Sequence, residues 1–215
     1  RWDDRTGPNA YLVVASGTAT RVDAGRPVHG TRIVAGLSDA GFEMRDLYRI
    51  LLTHYDVDHV GGLSAFDAVD LTIYAGAADT PLTTGKRAPP LSNHQGLLQR
   101  MSRPFATPPA NPVEPVGAGD TVGTFTVYET PGHTPGHVCY VSSSLSTAFL
   151  GDLVRESDGT LRASPWLVSY DTDEVSRSIR SLADSAVTFE TAAIGHGVPF
   201  SRDGSDRLAD LSATL

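Results

Sequence analysis

The segment Ile50-Leu51-Leu52-Thr53-His54-Tyr55-Asp56-Val57-Asp58-His59 joins an apolar run to four side chains that bind metals. The apolar run is typical of a buried strand, and the polar residues after it predict a loop at the end of that strand. Two imidazoles and two carboxylates so close together supply several lone pairs, which a rigid strand end can direct to one point. The segment therefore predicts a metal site at a strand end of an α/β domain.

Strand and helix patterns alternate along the rest of the chain. The predicted strands cover residues 11–15, 18–23, 49–53, 71–74, 124–130, 138–142, 147–150 and 191–194, with a turn at Ser16-Gly17. The predicted helices cover residues 31–40, a short stretch through Leu63 and Phe66, 173–182, and 205–215 with Ser205 as its cap. This alternation indicates one layered α/β domain over residues 1–215.

Residues 80–115 interrupt this alternation with many prolines. Proline disfavours long regular structure, although residues 93–101 have room for a helical turn or more. We predict that this segment is a surface excursion within the domain rather than a linker. Long loops of this kind often form a lid or a wall of a substrate site.

Composition excludes several other kinds of protein. The net charge of −8 and the pI near 5.2 argue against a nucleic-acid-binding surface. Cys139 is the only cysteine, so a metal must be held by nitrogen and oxygen ligands. No apolar stretch has the length of a membrane span, and we expect a cytoplasmic protein that acts on a small molecule. The chain begins at Arg1 rather than at methionine, which leaves a removed N-terminal signal open.

Three further candidate ligands follow predicted strands. His133 comes after Thr130-Pro131-Gly132, Asp152 comes after Leu150-Gly151, and His196 lies within Gly195-His196-Gly197. A glycine next to each candidate lets the backbone come close to a crowded centre. Open α/β sheets place their sites at strand ends, so we expect these side chains to join the first cluster.

With these segments the chain resembles the metallo-β-lactamase-fold hydrolases, whose hallmark is His-x-His-x-Asp-His followed by a later His, Asp and His. The resemblance covers nearly the whole chain and includes Val22-Asp23-Ala24-Gly25, with all segments in the family's order. It implies a single-domain, four-layer αβ/βα sandwich with a binuclear metal site at one edge. It also implies two divalent metal ions, of which zinc is the expected one.

One residue departs from the family pattern, because Asp56 stands where the family has its second histidine. Carried over position by position, the resemblance implies one metal on His54, Asp56 and His133, a second on Asp58, His59 and His196, and Asp152 as the bridge. A carboxylate favours harder cations, so manganese or iron is an alternative to zinc. The rival interpretation is that Asp56 points away and that the first metal is lost or loosely held.

The resemblance implies hydrolysis by a metal-activated hydroxide, which Asp58 would orient as the catalytic carboxylate. Carboxylic esters, lactones and thioesters are the expected substrates, although a β-lactam also fits this chemistry. A non-haem iron oxidoreductase acting on oxygen or a sulfur compound is an alternative that Asp56 motivates. A metal-binding domain without turnover is a third. The oligomeric state is left open.

The remaining candidates have supporting roles. We expect Asp23 to bind backbone amides near the site and His137 to support the ligands, with neither touching the metal. Tyr55 and Trp166 are candidate substrate contacts, since aromatic side chains often line pockets.

Overall fold

Two β-sheets lie face to face at the centre of the computed structural model, which describes residues 7–15 and 17–215. The first six residues of the predicted domain and Ser16 of the predicted turn lie outside the described residues. Helices cover the outer face of each sheet, and apolar side chains fill the space between the sheets. The expected αβ/βα sandwich is therefore confirmed.

The predicted metal-binding segment follows the carboxyl end of the central strand of the first sheet. Its strands, in spatial order, are β1 (Tyr11–Ala15), β2 (Thr18–Val22), β3 (Leu47–Leu52), β4 (Thr72–Gly76) and β5 (Val113–Val116). Strands β2 to β5 run parallel, while β1 is antiparallel to β2. Ile50-Leu51-Leu52 is fully buried because the middle of a parallel sheet is covered on both faces.

The second sheet is mostly antiparallel. Its strands are β6 (Thr121–Val122), β7 (Phe125–Glu129), β8 (Val138–Ser142), β9 (Thr147–Gly151) and β12 (Thr191–Ile194), in the spatial order β12-β9-β8-β7-β6. Only β9 and β12 pair in parallel among the described strands of this sheet. Strands β10 (Val154–Ser157) and β11 (Thr160–Ala163) form a separate hairpin that packs near α6.

The helices divide between the two outer faces and the site. They are α1 (Gly30–Asp39), α2 (Val57–Val60), α3 (Thr80–Thr83), α4 (His94–Ser102), α5 (Thr172–Asp184) and α6 (Gly204–Ser212). Helix α1 packs on the first sheet through Ile33 and Leu37, and α5 packs on the second through Val175 and Ile179. Among the described residues, no helix has both the length and the apolar character needed to cross a lipid bilayer.

Several elements differ from the sequence predictions. Strands β5 and β6 and the β10–β11 hairpin were not predicted. Pro115 lies within β5, which is possible because β5 is at the edge of its sheet. The prediction of Ser205 as the helix cap was wrong, since α6 follows Asp203 and the Ser205 hydroxyl exchanges hydrogen bonds with the backbone of Phe189.

One buried hydroxyl joins the two sheets close to the site. The single hydroxyl hydrogen of Tyr140 in β8 is shared between the carbonyl oxygens of Leu52, at 3.1 Å, and Tyr74, at 3.3 Å. Its ring is fully buried among the apolar side chains between the sheets. The hydroxyl therefore fixes the end of β3, after which the candidate ligands begin.

We expect Tyr140→Phe to lower the free energy of unfolding by about 1–2 kcal/mol, because it removes one buried donor and leaves the ring in place. Chemical denaturation measures this change. Phe125→Leu, in the same apolar layer, is the comparison for lost packing. No loss of stability in Tyr140→Phe would show that this hydroxyl does not join the sheets.

Candidate metal centre

Four chain segments meet at one edge of the sandwich, each directly after a strand. His54 follows β3, His133 follows β7, Asp152 follows β9, and His196 follows β12. Asp56 is the extended residue before α2, and Asp58 and His59 lie in the single turn of that helix. The structure thus brings together all seven predicted ligands.

The first group of ligand atoms centres on two histidines. His54, His133 and Asp152 each offer an atom within 4.8 Å of the others. Asp56 lies beside them, with its Oδ2 at 3.1 Å from His133 Nε2 and 3.6 Å from His54 Nε2. Asp56 therefore points into the site, as the resemblance implied, and not away from it.

The second group consists of Asp58, His59 and His196. Asp58 Oδ2 lies 3.3 Å from His196 Nε2. Asp152 reaches both groups, because its Oδ1 is 3.4 Å from His59 Nε2 while its Oδ2 is 3.7 Å from His133 Nε2 and 3.3 Å from His196 Nε2. This is the position that a bridging carboxylate requires.

The unpartnered atoms of the cluster test whether a metal fits. Within the part of the chain that the structure describes, His54 Nε2, His59 Nε2 and Asp152 Oδ1 are buried without a hydrogen-bond partner. Leaving such atoms unsatisfied is costly, and buried polar groups nearly always have a partner or a metal. All three belong to the two ligand groups, so divalent cations fit the residues that are present.

The Asp23 carboxylate orients two of the histidines. Its Oδ2 accepts a hydrogen bond from His59 Nδ1 at 2.9 Å, and both oxygens accept from the Thr53 hydroxyl. Since that hydroxyl has one hydrogen, its oxygen accepts in turn from His54 Nδ1 at 2.9 Å. Both rings then direct their Nε2 atom into the site, which is the usual way in which a metal-binding histidine is held.

Hydroxyl groups hold two further histidines. His133 Nδ1 is 2.9 Å from Ser164 Oγ, and Ser164 is in turn hydrogen-bonded by Ser169. His137 Nδ1 is 2.8 Å from Thr130 Oγ1, and its ring stacks on His54 with centroids 5.3 Å apart. His137 thus lies behind a ligand and belongs to neither ligand group.

Gly195, which has no side chain, lies directly against the cluster of candidate ligands. A Cβ at this position would collide with Asp152 Oδ1 and would lie 3.0 Å from His59 Cε1. The backbone therefore passes against the Asp152 carboxylate at a distance that only glycine allows.

Charges in the cluster shift its pKa values in opposite directions. Burial lowers the pKa of His59, but the carboxylates of Asp152 and Asp23 outweigh it and raise that pKa to about 10. Burial also opposes protonation of His196, whose pKa is nevertheless raised to about 9 by Asp152 and Asp58. Burial raises the pKa of Asp152, yet the neighbouring histidines, His59 first, hold it well below its usual range.

Several supporting residues were not found from the sequence. Buried Asp79 accepts hydrogen bonds from Tyr55 N, the Thr134 hydroxyl and Gly136 N, so it joins the ligand loop after β3 to the loop of His133. Gln95 and Gln99 of α4 donate to Asp56. The glutamines are four positions apart and so share a helix face. This spacing was the feature of the sequence from which the pair could have been found.

The two predicted substrate residues lie in different environments. Tyr55 is only 4% exposed and packs in the apolar layer beneath the first sheet. Trp166 is 64% exposed, and its ring stacks on His94 with centroids 4.2 Å apart. The side chains of Asp58 and His196 are the more open ligands, at 22% and 32% exposure.

A four-layer αβ/βα sandwich that carries two adjacent His–Asp groups at one edge defines the class of metallo-β-lactamase-fold proteins. The family model described as the metallo-beta-lactamase superfamily matches residues 3–194, and the chain belongs to this superfamily.

Similar proteins include enzymes and a metal-bound structure. The chain is 26% identical to the probable metallo-hydrolase YflN of Bacillus subtilis, covering 89% of this chain and 79% of YflN. It is 33% identical to a hydroxyacylglutathione hydrolase of Cereibacter sphaeroides, over 66% of this chain and 46% of that protein. A crystal structure of TTHA1623 in a di-iron-bound form has a TM-score of 0.72 and 26% identity, covering 97% of this chain and 95% of that one.

Metal uptake should depend on pH. At pH 7 the raised pKa values of His59 and His196 keep both rings protonated in the metal-free protein. A metal ion needs the Nε2 lone pairs and must displace these protons, so we expect the apparent zinc affinity to rise between about pH 6 and pH 9. Competition with a chelator measures the affinity, and calorimetry in two buffers counts released protons. An affinity independent of pH would contradict this prediction.

We expect Gly195→Ala to lower metal affinity at least about tenfold, because the new methyl group displaces the Asp152 carboxylate. Elemental analysis after gentle purification measures the metal per chain. Gly117→Ala is the matched control, since its Cβ would lie 3.4 Å from Glu129 Oε1 in an ordinary contact. Full metal content in Gly195→Ala would refute the close approach.

Proposed function

We propose that this member of the superfamily is a hydrolase that cleaves a carboxylic ester, lactone or thioester of a small molecule with metal-activated water. The position of Asp152 between the two ligand groups carries this proposal. A carboxylate shared by two adjacent groups suits a pair of metal ions that act on one water molecule.

The proposed roles follow from the donor atoms. One metal would be held by His54, Asp56 and His133 and the other by Asp58, His59 and His196, with Asp152 between them. Two bound cations would supply a hydroxide at neutral pH and a positive charge for the leaving oxygen or sulfur. Asp58 lies at the open side of the cluster, where its carboxylate can accept a hydrogen bond from the attacking water and orient it.

A covalent route through the cysteine does not fit this site. Burial raises the pKa of the Cys139 thiol to about 12, so it stays protonated at neutral pH. Its Sγ lies near Thr130 Oγ1, at 3.3 Å, among the apolar side chains beneath α5. We therefore propose direct attack of water on the carbonyl carbon, followed by loss of the alcohol or thiol, without a covalent intermediate on the cysteine.

The substrate class rests on distant similarity. The hydroxyacylglutathione hydrolase cleaves a thioester by its name, and this chain spans less than half of that protein. We therefore place thioesters beside esters and lactones in the proposal. Zinc is the proposed metal, with manganese as an alternative because of the Asp56 carboxylate.

Two specific observations point to iron as an alternative metal, which gives a second candidate function. Asp56 supplies a hard anionic oxygen to the first group, and the similar TTHA1623 structure contains two irons. A non-haem iron oxidoreductase would consume oxygen or oxidise a sulfur compound when loaded with iron. Metal-dependent ester or thioester cleavage without oxygen consumption would exclude it.

We expect the protein loaded with zinc, manganese or iron to cleave at least one member of a panel of thioesters, lactones and aryl esters. Hydrolysis in ¹⁸O-labelled water should place the label in the carboxylic acid product. Asp58→Asn should lower kcat/KM about 100-fold or more. Asp39→Asn, at an exposed position of α1, is the control. Full metal occupancy with no cleavage would support a metal-binding domain without turnover.

A further inference from the structure

The carboxylate that replaces the family's histidine has unusual neighbours. Asp56 Oδ1 accepts hydrogen bonds from Gln99 Nε2 at 2.7 Å and Gln95 Nε2 at 3.3 Å. Its Oδ2 accepts from Gln95 Nε2 at 3.0 Å and faces the Nε2 atoms of His54 and His133. The glutamines therefore both donate to Oδ1, while Oδ2 accepts one hydrogen bond, from Gln95, and still faces the two histidine nitrogens.

The orientation of Gln99 is fully determined by its surroundings. Its Nε2 has two hydrogens and donates one to Asp56 Oδ1 and one to the Tyr55 carbonyl oxygen, both at 2.7 Å. Its Oε1 accepts from the Tyr170 hydroxyl at 2.6 Å. Turning the amide over would place Oε1 against two acceptor oxygens, so the side chain can present only a donor to Asp56.

Gln95 donates its side-chain hydrogen bonds to the same carboxylate. Among the described residues, its side chain donates hydrogen bonds to Asp56 alone, and its buried Oε1 has no hydrogen-bond partner. A buried carbonyl oxygen without a partner is unfavourable and would be avoided if the side chain only filled space. Gln95 and Gln99 are both almost completely buried, at 4% and 2% exposure.

Helix α4 is fixed so that both glutamines face Asp56. Its cap residue, Asn93, accepts from Gln95 N at 2.9 Å and donates to the Tyr170 carbonyl oxygen at 3.0 Å. A Cβ at Gly96 would collide with the Pro90 carbonyl oxygen, so the helix packs tightly against this loop. The proline-rich excursion thus supplies groups behind a metal ligand.

We propose that Gln95 and Gln99 are positioning residues that make Asp56 a metal ligand through one oxygen, in the place of an imidazole nitrogen. Two amide donors withdraw charge from the carboxylate and prevent it from turning both oxygens to the metal. The inference rests on the metal centre of the proposed function and does not depend on the bond that is cleaved.

A double-mutant cycle tests this role on the full chain. Gln99→Met keeps the length of the buried side chain and removes both donors. We expect it to weaken one of the two zinc dissociation constants about 10- to 100-fold, measured by competition with a chromophoric chelator. In the Asp56→His background the same change should alter metal affinity less than about threefold, because an imidazole that binds metal does not need an amide donor.

Two further variants separate positioning from packing. Gln99→Glu should weaken metal binding more than Gln99→Met, because it places a second carboxylate against Asp56. Leu98→Ala, on the exposed side of α4, should leave both constants unchanged. Visible spectra of the cobalt-substituted protein should change in Gln99→Met, as Asp56 gains freedom to bind through both oxygens, and should stay the same in Leu98→Ala.

The result that overturns the inference is an equal loss of affinity from Gln99→Met in both backgrounds, which would show a packing role only. An unchanged affinity and an unchanged cobalt spectrum in Gln99→Met would also overturn it. Failure of the wild-type chain to bind any metal would overturn this inference and the proposed function together. Tight metal binding without hydrolysis of any panel substrate would instead count against the proposed function alone.

Discussion

The carboxylate of Asp152 lies between candidate ligands that follow three other strands. The rest of the fold depends on bringing these four strand ends together. Charged and polar atoms in such a cluster are buried, so they lose hydration and need either one another or metal ions as partners. The two sheets make this convergence possible because they bring the ends of β3, β7, β9 and β12 to one edge. Because Gly195 has no Cβ, its backbone can pass close to the Asp152 carboxylate.

A set of buried hydrogen bonds keeps the ligands oriented before any metal arrives. Asp23 and Thr53 hold His54 and His59, while Asp79 joins the loop of Tyr55 to the loop after His133. Such preorganisation limits the entropy lost when a metal binds. Burial opposes charge, yet protonated histidines and ionised carboxylates coexist in the metal-free cluster because their opposite charges lie side by side.

The proline-rich excursion of residues 80–115 reaches the cluster of candidate ligands. It contains α3, α4 and the edge strand β5, and two side chains of α4 lie directly behind Asp56. Its exposed surface includes Leu98 and Met101. The departure of this chain from the usual histidine is therefore accompanied by amide donors that suit a carboxylate and not an imidazole.

The sequence by itself determined the fold class, the strand-end segments and the candidate ligands, because these depend on local patterns such as the apolar run before His54 and the glycine beside His196. Spacing along the chain cannot tell which distant groups meet. Only the tertiary structure decided that Gln95 and Gln99 reach Asp56, that Tyr55 is buried in the core, and that Asp79 joins two loops. The hydrogen bonds among them join residues 24 to 57 positions apart, and they arise from the packing of separate segments on one another.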